Sequence, residues 1–413
     1  MHLGKTAYCR IFQYVMKVGN YFLPFRIPET LRGAGCVRRL PEELRKKGVR
    51  RVLLVTDSGL MKLGLPTGLM EALEEAGLPY TLFCDIQPNP TDENVEEGFR
   101  VFRESGCDAI AAMGGGSAMD CAKGIAAKNA RPGRSISRLQ GVITVHKRVV
   151  PIWAIPTTAG TGSETTVAAV ITIARTRHKA SINDPVLMPR YAVLDPELTL
   201  GLPPHITATT GMDALCHAVE SYLNHTYCTG LELDYAKRAV RLVYDNLYAA
   251  YLDGRDLEAR QNMQLAAFSA GRSFTRGCVG YIHAVGHTLS GLYGVPHGLA
   301  MSVLMPHVLR QYGPCVHRRL AELAEVCGLP GGSEAEKAEA FIAWIEDMKA
   351  KMGIPGGLDC IQPGDVPRIV KWADREANPL YPVPQVWGEE DFLKLIRTVS
   401  TAAGKRIPRT HSA

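Results

Sequence analysis

Asp213, His217, His283 and His297 put one carboxylate and three imidazoles at helix-compatible spacings within largely apolar segments, a combination suited to holding a divalent metal ion. In GMDALCHAVE, Asp213 and His217 stand four apart, so both side chains leave the same face of a helix. YIHAVGHTLSGLYGVPHG supplies His283, then His287 one turn on, then His297 at the turn before the next helical run. A cation held by one Asp and three neutral His keeps a position open for a substrate oxygen, whereas a closed structural site typically uses thiolates. A lone Asp-x-x-x-His pair is only a surface helix contact, and a lone imidazole among Val, Ala and Leu is a hydrogen-bonded core residue. Four such residues in two apolar stretches are better explained together. The His283-x-x-x-His287 spacing is also that of a zinc-protease motif, but that motif needs a glutamate directly after the first histidine, and here the residue is Ala284.

A second chemistry precedes this one in the chain. AIAAMGGGSAMDCAKGIAAKNA reads as a buried strand ending at Met113, a glycine turn, and a helix opening near Ser117, with Ser117 and Asp120 as a capping pair. Glycines at Gly115 and Gly116 let the backbone approach a phosphate, and the helix start favours an anion there. The pattern is not GxGxxG. PTTAGTGSETT follows the strand PIWAIPT, and its Thr157, Thr158, Thr161 and Ser163 offer hydroxyls to phosphate or ribose oxygens. Either loop alone is equally a turn that satisfies its own backbone. Two at the ends of neighbouring parallel strands, where open α/β sheets bind ligands, point to a nucleotide. Asp57 ends the strand RVLLVTD, where an acid accepts both hydroxyls of an adenosine ribose and repels a 2′-phosphate; the alternative is a helix cap ahead of SGL.

These sites need two kinds of scaffold. At 413 residues the chain is long enough for two domains with separate cores. From about residue 33, short apolar runs alternate with helical ones, which predicts a parallel sheet covered on both faces. After Asp195 strand signals nearly vanish and apolar residues recur every three or four positions. The expected division is therefore an α/β dinucleotide-binding half with an N-terminal extension, 1–202, and an all-α metal-binding catalytic half, 203–413, parted at the GLPP turn. Charges at Lys5, Arg10 and Lys17 break the apolar N-terminus well before bilayer or signal-peptide length, so it reads as an extra helix packed on the body. The net charge of +6 comes from scattered Lys and Arg with no dense basic run, which argues against nucleic acid. Eleven cysteines with no CxxC pair argue against a disulfide framework and fit a reducing cytoplasm.

With GGGSAMDCAK, PTTAGTGSE, LDPELTLGLPPHITATTGMDALCHAVE and GYIHAVGHTLSGLYGVPHG in this order and spacing, the chain resembles the iron-containing (group III) alcohol dehydrogenases from about residue 25 onward. The resemblance implies a Rossmann-like N-terminal domain and a helical C-terminal domain, the architecture also of dehydroquinate synthase, with a cleft between them. It implies metal ligands at Asp213, His217, His283 and His297. Its cofactor positions fall on Asp57, Asn89, Gly115, Gly116, Ser117, Thr157, Thr158, Lys179 and Leu198. The expected reaction is reversible hydride transfer between a small alcohol, or its aldehyde, and NAD. Fe2+ is the implied ion, and the donor set also accepts Zn2+. His287 is placed to pass the released proton toward solvent, and Phe274 and Cys278 are candidates for the pocket. A lyase of the dehydroquinate synthase kind needs several Lys and Arg at the metal, where this sequence offers Ala, Leu, Val and Gly; a nucleotide sensor leaves the metal residues unexplained. No membrane partner is expected, and a homodimer is compatible with the sequence. The loop RPGRSISRLQGVITVHKR departs from the family pattern in length and basicity.

Overall fold

The computed structural model describes residues 2–87, 89–175 and 178–401. Its first half holds β1 (Glu29–Arg32), β2 (Val52–Val55), β3 (Tyr80–Phe83), β4 (Ala109–Gly114), β6 (Ile152–Pro156) and β9 (Tyr191–Leu194), which pair in parallel in the order β1-β9-β6-β4-β2-β3. A smaller sheet, β5 (Gly141–Val142), β8 (His178–Asn183) and β7 (Ala168–Ile173), lies beside it, with β7 and β8 antiparallel.

Strand alternation divides the buried residues between two faces. Leu53, Val55, Ile110, Ala112, Ile152 and Ala154 join one cluster with Phe102 and Ile125, from the helices Asp92–Glu104 and Gly116–Ala130. Val52, Leu54, Ala111, Met113, Trp153 and Ile155 join another with Leu44 and Leu73, from the helices Leu40–Lys46 and Thr67–Glu75. Burial on both faces is what the continuous apolar strand RVLLV requires. The basic loop from Arg131 to Arg148 folds back on the small sheet, where the Asp184 carboxylate accepts the Val145 and His146 N–H groups at 2.9 and 3.0 Å.

From Pro204 onward the chain is helical, including Pro204–Leu223, Gly230–Leu252, Leu257–Gly277, Tyr281–Tyr293 and His297–Tyr312, around one large apolar core. The N-terminal helix His2–Tyr21, grouped by the sequence with the α/β half, packs against this helical half instead. Lys5 reaches Asp374 at 2.5 Å, and Arg10 donates to the Val383 and Pro384 carbonyls. The sequence shows that the segment is amphipathic, but not which half supplies the partners for its polar face. No helix among the described residues is long and apolar enough to cross a membrane.

Candidate metal centre and cofactor cleft

Three helices of the second half bring four potential ligands together. The helix Pro204–Leu223 carries Asp213 and His217 one turn apart, Tyr281–Tyr293 carries His283, and His297 opens His297–Tyr312. Gly298 makes that approach possible, because a Cβ there would lie 2.4 Å from the Thr209 carbonyl oxygen. One ligand atom from each of Asp213, His217, His283 and His297 falls within 4.8 Å of all the others.

The Asp213 carboxylate stands 3.4 Å from His297 Nε2, 3.7 Å from His283 Nε2 and 3.9 Å from His217 Nδ1, separations longer than hydrogen bonds. Asp213 Oδ1, His217 Nδ1 and His283 Nε2 are buried with no hydrogen-bond partner. Buried polar atoms are normally paired, so a facing set of orphans around one point fits a cation. The donor set of one carboxylate and three imidazoles suits Fe2+ or Zn2+.

Burial and neighbouring charge set the protonation of the cluster. Burial holds His217 down to about 3 and lowers His297, so both imidazoles are neutral donors near pH 7. Burial also pushes His283 down, but Glu220 and Asp213 beside it carry it up to about 9. Burial pushes Asp213 up, yet the surrounding imidazoles hold it well below the usual carboxylate range.

Glu220 escaped the sequence reading. Its carboxylate is 2% exposed and accepts the Ile282 N–H at 2.8 Å while lying 2.5 Å from His283 Nδ1. That contact directs His283 Nε2 toward Asp213, the carboxylate–histidine arrangement that orients metal ligands. Gly280 leaves room for it, since a Cβ there would meet Glu220 Oε1 at 2.7 Å. A lone acid in the apolar run after His217, three residues on and hence on the same helix face, was the available signal. Phe274 stacks on His217 with centroids 4.1 Å apart, and Cys278 ends the helix Leu257–Gly277 at a positive φ of 61°.

His287 lies outside the four-residue cluster, its ring stacked 5.1 Å from that of His297. Its Nδ1 is 2.6 Å from Glu376 Oε1, which also accepts from the Tyr381 hydroxyl at 3.1 Å. Both partners are distant in sequence and neither was foreseen.

The expected cofactor residues gather at the carboxyl ends of adjacent strands. Asp57 follows β2, Gly115, Gly116 and Ser117 follow β4, Thr157 and Thr158 follow β6, and Leu198 lies in the short 3-10 helix Pro196–Thr199 after β9. Asn89, at φ 59°, donates its backbone N–H to Ser117 Oγ at 3.2 Å. Lys179 comes from β8, where burial lowers its pKa against the opposing pull of Asp120 and Glu376. The helix Gly116–Ala130 starts at Gly115 with no side chain capping it, and a Cβ on Gly116 would crowd Thr161 at 3.1 Å. An uncapped helix start in a cradle that only glycine leaves open fits a phosphate.

Two expectations change. The Ser117–Asp120 capping pair does not form, because the Asp120 carboxylate takes Ser163 Oγ at 2.9 Å and the Val170 N–H at 3.1 Å. Ser163 is likewise engaged within the protein, by Lys123, and Thr161 Oγ1 accepts the Ser163 N–H. The ammonium of Lys123, fully buried, donates to the Ser163 carbonyl and hydroxyl, Thr166 Oγ1 and the Ala168 carbonyl at 2.7 to 2.8 Å, tying the two phosphate loops together. Burial brings this lysine down to about 8, opposed by Asp120 and Glu164. Asp57 caps the helix Ser58–Lys62 by accepting the Leu60 N–H at Oδ1, while Oδ2 lies near Gly114 at the mouth of the glycine turn.

Known proteins resemble this chain over both of its halves. Two family descriptions match in succession, Iron-containing alcohol dehydrogenase over residues 28–196 and Fe-containing alcohol dehydrogenase family, C-terminal, over residues 207–400. The chain is 40% identical over 340 residues to the NAD-dependent methanol dehydrogenase of Bacillus methanolicus, which covers 82% of this chain and 88% of that protein. It is 36% identical over 394 residues to the 1,3-propanediol dehydrogenase of Klebsiella pneumoniae, covering 94% and 98%. A crystal structure of a 1,3-propanediol oxidoreductase superposes with a TM-score of 0.87 at 35% identity, covering 92% of this chain and all of that one.

Proposed function

The chain belongs to the iron-containing alcohol dehydrogenase family, and from that premise we propose that it interconverts a small neutral alcohol and its aldehyde with NAD at the cleft between its two halves. It is an NAD(H)-linked alcohol dehydrogenase and aldehyde reductase of the metal-dependent kind. The observation that carries the site assignment is the set of orphaned buried atoms on Asp213, His217 and His283, with His297 beside them.

In this reading Asp213, His217, His283 and His297 hold Fe2+, or Zn2+ where that ion is in better supply. When bound, the ion supplies Lewis acidity to the substrate oxygen while the nicotinamide gives or takes the hydride. Glu220 fixes the orientation of His283. The glycine turn at Gly115, Gly116 and Ser117, together with Asn89, Thr157, Thr158, Lys179 and Leu198, seats the cofactor, and Asp57 faces the adenosine ribose and selects NAD over NADP. His287 takes the proton released by the alcohol, its Nδ1 held against Glu376 so that Nε2 is the working atom. Phe274 and Cys278 bound the substrate side.

Residues 1–202, apart from the N-terminal helix that packs on the other half, and 203–413 serve as the cofactor and metal halves, a division supported by the start of the helical run at Pro204 and by the gap between the two matched regions. Eleven free cysteines are compatible with a cytoplasmic residence. The test is NADH oxidation by purified, metal-loaded protein with a panel of short aldehydes, and NAD reduction with the matching alcohols and diols. Turnover on members of that panel is expected; metal-loaded, NADH-binding protein inert toward all of them contradicts the reading.

A further inference from the structure

The basic loop RPGRSISRLQGVITVHKR has no part in the proposed reaction, and its last residue is Arg148. Its closing turn is fixed in place. Asp184 accepts the Val145 and His146 N–H groups at 2.9 and 3.0 Å, and His146 takes a positive φ of 48°. Arg148 is thereby delivered to a cavity of about 170 Å³, which it lines together with Arg26, Arg190, Val150, Ile152 and Met188.

This cavity lies away from the cofactor. Arg26 stands three residues before β1, Arg190 directly before β9, and Ile152 opens β6. The three strands are parallel, so the cavity sits at their amino ends, whereas the glycine turn, the hydroxyl loop and Asp57 follow carboxyl ends of the same sheet. Its mouth is part of the sheet's own bonding. The Arg190 N–H donates to the Ile152 carbonyl at 3.2 Å, and the Glu29 N–H donates to the Arg190 carbonyl at 2.9 Å.

The lining holds three guanidiniums and no carboxylate. Among the described residues, none of the three side chains has a hydrogen bond or an ion pair. Burial lowers the pKa of Arg26, and the charges of Arg190 and Arg148 lower it further. Unpaired like charges in one partly buried cavity repel each other and cost stability, a cost that a bound anion removes. Guanidinium forks match the oxygens of phosphate and carboxylate groups, and three of them favour a dianion over a monoanion. The size is also restrictive. At about 30 Å³ per water the cavity takes a few waters or one small oxyanion, and it falls short of the ~300–1,000 Å³ of sites for larger ligands.

We propose that Arg26, Arg148 and Arg190 form a binding site for a phosphate-type oxyanion, either inorganic phosphate or the phosphoryl group of a small phosphomonoester. Such an anion ties the end of the basic loop to the strand starts. It also steadies a segment that the metal half already grips: the Arg26 carbonyl accepts from Arg272 Nη1 at 2.6 Å, and the Arg276 guanidinium lies 5.4 Å from the Phe25 ring centre. Both of those arginines belong to the helix Leu257–Gly277, which carries Phe274 against His217.

The test is calorimetric titration of the full-length, metal-loaded protein with sodium phosphate at constant ionic strength, with NAD saturating so that the glycine turn is already filled. One saturable site per chain is expected, with a Kd of about 1 mM or below. Arg148→Gln and Arg190→Gln are each expected to raise that Kd at least about tenfold, the effect of one lost charge-assisted hydrogen bond. NADH binding at the wild-type value, read by fluorescence, shows that both variants are folded. Glycerol 3-phosphate distinguishes the two sources: displacement of phosphate at equal or lower concentration assigns the site to a phosphomonoester, and failure to displace it assigns the site to free phosphate. No saturable phosphate binding, binding unchanged in either arginine variant, or acetate bound as tightly as phosphate overturns the proposal.

Discussion

Replacing Glu220 by glutamine perturbs the metal centre without removing any of its four proposed ligands. The buried Glu220 carboxylate holds two donors at once, the Ile282 N–H at 2.8 Å and His283 Nδ1 at 2.5 Å. A carboxamide of the same shape keeps its oxygen for one of them and turns an NH2 group toward the other. If the oxygen stays with Ile282, His283 must accept at Nδ1, which drives its proton to Nε2, the atom that faces Asp213. Losing a charge-assisted hydrogen bond costs about 1.5–3 kcal/mol, or roughly 10–150-fold in affinity, in line with the ~10–100-fold effects of groups that orient metal ligands.

Chelator competition above pH 9, where the His283 proton no longer competes with the metal, measures that loss. At saturating metal the same change lowers thermal stability by about 1.4–2.7 kcal/mol for a 10–100-fold weaker site. The pH dependence has a definite sign. His283 is raised from 6.5 to about 9, so its proton stabilises the metal-free protein fully below 6.5, and that stabilisation disappears as pH rises through 9. Metal must displace this proton, so wild-type affinity is expected to climb by about tenfold per pH unit across that window and then level off. In Glu220→Gln, which lacks the carboxylate that raises His283, the plateau moves to lower pH. Unchanged metal affinity in the variant on the plateau above pH 9, or a wild-type affinity flat from 6.5 to 9, refutes the reasoning.

Other substitutions separate the remaining roles. His287→Ala is expected to retain metal while alcohol oxidation slows by about 10²–10⁴-fold, and Glu376→Gln to change the same pH–rate profile less severely; metal loss in His287→Ala places that residue among the ligands. Asp57→Gly is expected to shift cofactor preference toward NADP at least tenfold, since it removes a charge-assisted bond of about 1.5–3 kcal/mol, and to lose only about a few tenths of a kcal/mol of stability with the helix cap, glycine being a tolerated cap residue. An unchanged NAD/NADP ratio together with the stability loss makes it a cap alone. Lys123→Met leaves the Asp120 carboxylate without its cation inside the protein, so urea unfolding is expected to report a loss of about 3 kcal/mol or more, with weaker NADH binding by fluorescence titration; a variant unchanged in both shows that Lys123 does not tie the loops.

What could be read from the sequence was what local spacing encodes. Asp213 and His217 at one helical turn, the glycine turn after a buried strand, and the change from alternating to purely helical texture near Pro204 all follow from periodicity within a short window. Glu220 was legible on the same ground and was passed over, because one acid in an apolar run reads as a turn of surface. Glu376, the partner of His287, and Tyr381, which donates to Glu376, lie 89 and 94 positions beyond His287 and leave no local trace. The same non-local competition undid the Ser117–Asp120 cap, since Ser117 Oγ is taken by the Asn89 N–H and Asp120 by Ser163 and Val170. Lys123, an apparent surface lysine of an alanine-rich helix, became a buried cation only once β7 and the hydroxyl loop had closed over it. The small antiparallel sheet was illegible for another reason: HKASIN has too little alternation to mark a strand.

The central claim is that Asp213, His217, His283 and His297 together hold one catalytic divalent ion. Its most direct test measures metal stoichiometry by elemental analysis and NAD(H) turnover on the same preparations of wild type, His217→Ala and His297→Ala. The account predicts one iron or zinc per wild-type chain, with metal content and turnover falling together in both variants. Stoichiometric metal with wild-type turnover in either variant contradicts it.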